Sequence, residues 1–242
     1  SCLRRSRKDL RGTAVMKRAT LDALVEGRKA RQALVRLIWI ESGEERILTD
    51  TSEVEDNEEL ATAVRNALRS DRASLLGTAS GQVFVHPFNP PLRLAIVGAV
   101  HIAQRLTRLA LDLDYAVTII DPRRGFLTEA RFPSVTRVHD WPDDALRNFE
   151  LDARSAVVTL SHDAKIDEPA LDVALRSPCF YVGALGSRRT QQKRRDRLAE
   201  AGMTDEELAR IHGPVGLDLG ARSPAEIALS IAAELTATLR AD

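Results

Sequence analysis

One stretch of the chain constrains its fold more than any other. An apolar run leads into a glycine and a helix-forming segment, in the order Leu92-Arg-Leu-Ala-Ile-Val-Gly-Ala-Val-His-Ile-Ala103. A second β-branched run follows and ends in an acid, at Ile119-Ile-Asp121. A buried strand, a tight turn, a helix and a second buried strand in this order predict a βαβ unit, which is the building block of a parallel sheet.

The turn of this unit has most of the Gly-x-Gly-x-x-Gly/Ala pattern of a nucleotide-binding Rossmann domain. Gly98 takes the first glycine position, Ala103 the last, and Asp121 follows Gly98 at about the twenty-residue offset of a ribose-binding acid. Val100 replaces the second glycine, so its Cβ obstructs a dinucleotide in the usual pose. The helix N-terminus still offers N–H donors, and we expect a phosphate-bearing molecule at this edge.

The composition limits the classes of protein to consider. The chain has 242 residues, and its 35 Lys and Arg balance 35 Asp and Glu, so we expect no nucleic-acid binding. Its two cysteines, Cys2 and Cys179, predict neither a disulfide framework nor a metal cluster, which favours a reducing cytoplasm. No apolar stretch has the length of a membrane span. Residues 1–15 are expected to be a disordered arm or an upstream extension.

The apolar pattern predicts an α/β protein with two domains. Over residues 16–88, helices at 20–31 and 60–68 and strand pairs at 33–40/46–49 and 73–78/82–86 predict a small α+β domain. Three prolines within 87–91 predict an extended connector. Over 89–242, strands alternate with helices, which predicts a Rossmann-like parallel sheet. The strands are expected at 93–98, 116–121, 135–138, 155–160 and 179–183, and the helices at 101–113, 142–149, 168–176, 188–201, 204–211 and 224–240.

Functional side chains follow several of these strands, at the end of the sheet where ligands bind. The fourth strand of the sheet ends in Ser161-His-Asp-Ala-Lys165, and the fifth runs into Gly183-Ala-Leu-Gly-Ser-Arg188. A Gly-rich loop over 212–222 holds Asp218. Each of these has an ordinary structural alternative, such as helix capping or a bare turn. Arg123 is either a phosphate ligand or a solvated loop residue, and His101 is either a site residue or a polar packing residue.

Several blocks of the C-terminal part occur together in one known family. They are Pro91-Leu-Arg-Leu-Ala-Ile-Val-Gly-Ala99 with His101, Ile120-Asp-Pro-Arg123, Leu160-Ser-His-Asp163, Tyr181-Val-Gly-Ala-Leu-Gly-Ser-Arg188 and Gly216-Leu-Asp-Leu-Gly-Ala-Arg222. In this order, over residues 85–240, they resemble the XdhC/CoxI family, accessory proteins of molybdenum hydroxylases such as xanthine dehydrogenase. The chain departs from the family's Gly-Ala-Gly-His at Gly98-Ala-Val-His101, and it lacks the Ser-Gly-Gly-Cys block of many members.

The resemblance implies a small N-terminal domain joined to a Rossmann domain. It also implies binding of the molybdenum cofactor, a phosphate-bearing pterin, as molybdopterin or its nucleotide form. Such a protein promotes sulfuration of the cofactor and delivers it to a molybdenum hydroxylase apo-enzyme. A cysteine desulfurase is a further partner that the resemblance suggests, and a homodimer is left open.

Residues and resemblance together predict a molybdenum cofactor chaperone that is not an enzyme. No P-loop, His-Glu-x-x-His, Gly-x-Ser-x-Gly or Cys-x-x-Cys occurs, so no catalytic and no metal-binding residue is expected. One alternative is an NAD(P)-dependent oxidoreductase with Asp121 on the ribose and His162 or Lys165 as acid or base. Another is a protein-binding accessory protein with a non-functional nucleotide site. The predicted cofactor-binding residues are Gly98, Ala99, Val100, His101, Asp121, Arg123, Ser161, His162, Asp163, Gly183, Gly186, Ser187, Arg188 and Asp218.

Overall fold

The structure, a computed structural model, describes residues 16–49, 51–54, 56–79 and 81–241. The chain divides into two compact units, Ser1–Pro90 and Pro91–Asp242. The arm or extension predicted for residues 1–15 lies outside the described residues. Within the described part, no helix is long and apolar enough to cross a membrane.

The N-terminal unit is a small α+β fold. Its elements are α1 Arg18–Lys29, β1 Leu34–Trp39, β2 Glu45–Leu48, a 3-10 helix Thr51–Val54, α2 Glu58–Ser70, β3 Ser74–Thr78 and β4 Gly81–Phe88. The two predicted hairpins, β1 with β2 and β3 with β4, join through β1 and β4 into an antiparallel sheet of order β2-β1-β4-β3. Helix α2 buries Leu60 and Val64 in the same apolar cluster as Leu37 and Val85 of the sheet.

The expected proline connector is shorter than predicted. Pro87 and Phe88 belong to β4, and Pro87 lies opposite Val35 of β1. On the other side of β4, pairing with β3 ends at Val85. Pro87 therefore lies where β4 has a neighbour on one side, and a proline without an N–H is tolerated at such an edge.

The C-terminal unit is a six-stranded parallel sheet with helices on both faces. Its strands are β5 Arg93–Val97, β6 Ala116–Ile120, β7 Thr136–Val138, β8 Ser155–Thr159, β9 Tyr181–Ala184 and β10 Ile211–His212. Its helices are α3 His101–Asp112, α4 Pro142–Phe149, α5 Ala164–Leu175, α6 Arg188–Glu200, α7 Asp205–Ala209 and α8 Pro224–Arg240. The order β7-β6-β5-β8-β9-β10 is that of a doubly wound Rossmann sheet.

Continuous apolar runs produce this sheet because both of its faces are buried. Along β5, Leu94 and Ile96 pack in the cluster that contains α3 and α8, while Ala95 and Val97 pack in the cluster of α4, α5 and α6. All four side chains are fully buried. Burying a Leu, Ile or Val side chain contributes about 1.5–3 kcal/mol, so these strands provide much of the driving force of folding.

Capping residues determine where several helices begin. Ser223 caps α8 at Pro224: its Oγ accepts the N–H of Glu226 in a capping box, as the sequence predicts. Helix α5 begins earlier than the predicted residue 168, because Asp163 caps it by accepting the N–H of Lys165. The two-residue strand β10 was not predicted, since so short a strand has no detectable periodicity.

Candidate functional site

The ends of the parallel strands place most of the predicted site residues along one side of the sheet, the carboxyl edge. The segments are Gly98–His101 after β5 (the first Gly turn), Asp121 and Arg123 after β6, Ser161–Asp163 after β8 (the β8 turn), Leu185–Arg188 after β9 (the β9 turn) and Asp218 after β10; Gly183 lies within β9. The sheet order reverses between β5 and β8, so the first Gly turn and the β8 turn flank the switch point where such sheets bind ligands.

In the first Gly turn, the N–H groups of Gly98, Ala99 and Val100 all donate within the protein. The N–H of Gly98 donates to Ile120 O at 2.9 Å, and that of Val100 donates to Gly98 O at 2.9 Å. Ala99 N–H donates to Asp121 Oδ2 at 2.7 Å. Gly98 has a φ of 102°, and a Cβ there would lie 2.7 Å from the backbone nitrogen of Ser161. Only glycine therefore allows the first Gly turn to approach the β8 turn so closely.

Asp121 is 0% exposed and is held by hydrogen bonds on both carboxylate oxygens. Arg123 donates its backbone N–H and Nε to Oδ1, each at 2.9 Å, and its Nη2 to Oδ2 at 2.8 Å. Burial works to raise the pKa of Asp121, but the hydrogen bonds from Arg123 and Ala99 outweigh it and hold the pKa below its ordinary value. With four donors on the carboxylate, a ribose would have to displace one of them.

The start of α3 presents a different surface. Val100 precedes the helix without a side-chain cap, and its own side chain packs against the apolar core. His101 is exposed at the first helical position. It lines a groove of about 310 Å³ with Arg105, Arg108 and Ser223. The amide groups of an uncapped first turn attract anions. The phosphate preference expected of this edge stays a prediction.

The β8 turn contains two side chains that are anchored by hydrogen bonds, those of Ser161 and Asp163, and between them the exposed His162. Ser161 is buried and donates its Oγ to Asp167 Oδ1 at 2.6 Å. Asp163 caps α5 by accepting a hydrogen bond from Lys165 N–H at 3.0 Å. Helix capping is the structural alternative that the sequence leaves open for this residue. His162 is exposed and has a φ of 63°, in the left-handed region that non-glycine residues rarely adopt.

A groove on the carboxyl edge, called the main groove, lies beside the β9 turn. Its volume is about 430 Å³. Exposed Arg188 and Asp218 contribute the charged groups of its lining, and Ser187 caps α6 nearby by accepting Thr190 N–H at 3.2 Å. Among the described residues Arg188 has no carboxylate within ion-pair distance. The apolar lining of the main groove includes Leu185, Val215, Leu217, Leu219 and Ile227.

One glutamate on α8 anchors the Gly-rich loop that forms a wall of the main groove. Glu234 Oε2 accepts Gly216 N–H at 2.7 Å and Tyr181 OH at 2.5 Å. His212 Nδ1 lies 3.3 Å from Glu234 Oε1 and its ring stacks on Tyr181 with centroids 4.4 Å apart. Burial works to raise the pKa of Glu234, but bonds from His212, Tyr181 and Gly216 outweigh it and lower the pKa.

The predicted site residues therefore do not form one pocket. Gly186, Arg188 and Asp218 line the main groove, while His101 lines the smaller groove between α3 and the start of α8. Within the described residues, no group of three or more His, Cys, Asp and Glu side chains could hold a metal ion. Cys179 is a buried thiol whose pKa is raised by burial.

Sequence reasoning missed two acids that support the carboxyl edge, the fully buried Asp167 and the partly buried Glu234. Both occupy apolar stripes of amphipathic helices: Asp167 shares a face of α5 with Ala170 and Leu171, and Glu234 shares a face of α8 with Ile227 and Ile231. An acid at a buried helical spacing is the signal that would have identified them, since a buried charge requires partners.

The fold and the carboxyl edge define a Rossmann domain in which the first Gly turn is closed internally and the ligand-accessible groups lie elsewhere. Residues 94–235 match the family described as the XdhC Rossmann domain. The chain belongs to the XdhC family, as its motifs indicated.

Three curated relatives match this chain. It is 33% identical over 159 residues to the uncharacterized protein YqeB of Escherichia coli K12, and the match covers 66% of this chain and 29% of that protein. It is 34% identical over 148 residues to the molybdenum cofactor insertion chaperone PaoD of the same organism, covering 61% of this chain and 40% of that protein. A probable xanthine dehydrogenase subunit of Bacillus subtilis 168 is 29% identical over 157 residues, 64% of this chain and 46% of that protein.

The chain thus spans less than half the length of each of these relatives. Among solved structures, a xanthine dehydrogenase from Bacillus halodurans shares the fold, with a TM-score of 0.71 at 24% identity. The match covers 92% of this chain and 67% of that one.

Proposed function

We propose that this chain binds the molybdenum cofactor in the main groove and delivers it to a molybdenum hydroxylase of the xanthine dehydrogenase type. The main groove, on the carboxyl edge of an XdhC Rossmann domain, is the observation that carries this proposal. The named function of the relative PaoD, cofactor insertion, supports the same role.

The main groove suits a flat pterin that carries a phosphate. Its volume of about 430 Å³ lies within the range of small-molecule pockets. Leu217 and Leu219, with 40% and 56% of their surface exposed, offer apolar walls to a ring. Arg188 is placed to bind the phosphate, since a guanidinium forms charge-assisted, bidentate bonds with phosphate oxygens. Asp218 accepts hydrogen bonds from the N–H groups of the pterin.

The proposed role is that of a carrier, which recognises and releases its cargo without making bonds in it. Cys179, the cysteine among the described residues, is buried and its raised pKa disfavours the thiolate. We therefore assign the sulfur donor for cofactor sulfuration to a partner, a cysteine desulfurase. A cytoplasmic location and a homodimer stay predictions.

The test is retention of the cofactor by the purified chain. Protein isolated anaerobically from a host that makes the cofactor should yield a fluorescent oxidised pterin after acid and iodine treatment. Arg188→Ala should reduce the pterin recovered by about tenfold, the effect of losing one strong charge-assisted bond, without changing the thermal midpoint. Arg189→Ala is the matched control, because Arg189 is the exposed neighbour that does not line the main groove.

Two results would contradict the proposal. One is wild-type protein free of pterin under these conditions. The other is equal loss of pterin in Arg188→Ala and Arg189→Ala, which would place the cofactor outside the main groove. A parallel titration with NAD(H) and NADP(H) tests the oxidoreductase alternative, for which saturable binding with turnover of a small carbonyl compound is the expected sign.

A further inference from the structure

Asp167 and Arg194 form an ion pair that is buried between α5 and α6. Asp167 is 0% exposed and Arg194 is 3% exposed. Asp167 Oδ2 lies 3.7 Å from Arg194 Nη2. Burial raises the pKa of Asp167 and lowers that of Arg194, although each partner's charge opposes the shift. The surroundings therefore disfavour both charges more than the pairing favours them.

The pair is poorly suited to stabilising the fold. Asp167 Oδ2 and Arg194 Nε are buried and have no hydrogen-bond partner among the described residues. Replacing a buried ion pair with well-packed apolar residues is often neutral or stabilising. Overall stability therefore does not account for two charges at this place, and their remaining contacts indicate another role.

Asp167 holds the β8 turn. Ser161 donates both its N–H and its Oγ to Asp167 Oδ1, at 3.2 and 2.6 Å. Asp163 N–H in turn donates to Ser161 Oγ at 3.1 Å. Between these two anchored residues lies His162, whose left-handed backbone requires support from its surroundings. The carboxylate thus fixes the turn that exposes His162 at the switch point.

Arg194 holds the end of β9. Its Nη2 donates to Leu185 O at 3.1 Å and its Nη1 to Gln191 Oε1 at 2.5 Å. Gln191 Nε2 donates to Ala184 O at 2.6 Å. The guanidinium therefore fixes, directly and through Gln191, the two carbonyls that precede Gly186 and Arg188 of the main groove.

We propose that Asp167 and Arg194 are positioning residues that lock the β8 turn and the β9 turn to each other, so that His162 and Arg188 are held in one arrangement for one ligand. The identity of that ligand rests on the proposed function. The coupling of the two turns does not, and it is measurable on the protein without ligand.

The experiment measures amide hydrogen exchange in the full chain carrying Asp167→Leu and Arg194→Met together. The reporters are the N–H of Asp163, which donates to Ser161 Oγ, and that of Leu185, which donates to Thr159 O. Neither donates to a replaced side chain. Both should exchange about tenfold faster, while the thermal midpoint stays near that of the wild type. Affinity for molybdopterin released from a molybdenum hydroxylase should fall by about tenfold.

The matched control removes a comparable ion pair in the N-terminal unit. Arg36 and Glu45 are joined at 2.6 Å with side chains 10% and 6% exposed. Arg36→Met with Glu45→Leu should leave both reporters and the molybdopterin affinity unchanged. Wild-type exchange rates in the Asp167→Leu/Arg194→Met protein would overturn the proposal, and so would equal acceleration in the control.

A smaller change keeps the proposal testable if the double variant does not fold. Ser161→Ala removes the side-chain bond from the β8 turn to Asp167, and the reporter for this variant is the N–H of Ile166, which donates to Asp163 O at 3.0 Å and not to the replaced side chain. The Ile166 amide should exchange faster and the Leu185 amide should not. An unchanged Ile166 amide would overturn the proposal. If both reporters exchange faster in the double variant but the wild-type protein binds no molybdopterin, the proposed function alone is refuted.

Discussion

The first Gly turn and the main groove lie on the same edge of one sheet and use their polar groups in opposite ways. At the first Gly turn, the N–H groups of Gly98, Ala99 and Val100 and both oxygens of Asp121 bond within the protein. At the main groove, Arg188 and Asp218 are exposed. The segment with the best nucleotide-binding motif is therefore the closed one, and the ligand-accessible charges belong to the later loops.

This difference shows that residues of a nucleotide-binding motif can serve the packing of the fold and not a ligand. Gly98 and Asp121 occupy the positions of a dinucleotide site, yet they join β5, β6 and the β8 turn to each other. The comparison predicts that substitutions at the first Gly turn change stability, whereas substitutions in the main groove change binding. Three variants test the first half of this statement, in order of decreasing effect.

Gly98→Ala should have the largest effect. Its Cβ would lie 2.7 Å from Ser161 N, and alanine is strained at a φ of 102°. Crowding and strain together should cost about 3 kcal/mol of unfolding free energy, measured by urea denaturation. Gly125→Ala is the control, since a Cβ there meets nothing within 4 Å and should change stability by less than about 0.5 kcal/mol. Equal stability of the two variants would show that the two turns are not in contact.

Asp121→Asn should have an intermediate effect that depends on pH. At pH 7 the loss of charge on a buried acceptor of four hydrogen bonds should cost about 2 kcal/mol. Because the folded pKa lies below the unfolded value of about 4, the carboxylate's contribution is complete above that value. It is lost as the pH falls through the folded pKa.

The measurement for Asp121→Asn is the unfolding free energy of both proteins between pH 7 and pH 3. The gap between wild type and variant should narrow in acid. A gap that stays constant over this range would mean that the Asp121 charge does not contribute. Asp218→Asn is the control at pH 7, where an exposed carboxylate should leave stability within about 0.5 kcal/mol of the wild type.

Val100→Gly should have the smallest effect. Its partly buried side chain packs on the core, so the change should cost about 1 kcal/mol. The sequence alone suggests that this variant strengthens binding of any phosphate seated at the first Gly turn. Because Val100 N–H already donates to Gly98 O, we expect the molybdopterin affinity to stay within about twofold. A clear gain in affinity would place the phosphate at the turn and not in the main groove.

Much of the fold was predictable because its strands are long apolar runs with both faces buried. Segments such as 93–97 and 155–159 have that pattern and were located to within a residue or two. The two-residue strand β10 and the extension of β4 through Pro87 depend on neighbouring strands. Local patterns in a sequence do not contain that information.

The candidate site was predictable in place but not in detail. Motifs located the strand ends, since ligands bind at the carboxyl edge of such sheets. The partners of each side chain are distant in sequence: Asp167 supports Ser161, and Glu234 holds Gly216 from another helix. Reading one residue at a time cannot reveal that Asp121 is already saturated, because its donors include an amide 22 positions away.

The attachment of the Gly-rich loop to α8 has a consequence for the order of synthesis. Gly216 donates to Glu234, and Leu217 N–H donates to Ser230 O at 3.2 Å, so one wall of the main groove is fastened to a helix made after it. In a nascent chain that has emerged only as far as the loop, this wall has no helix to hold it, and the groove forms when α8 docks. If the main groove binds a ligand as proposed, binding requires that α8 has docked, and a copy in which α8 is not yet folded should not bind that ligand.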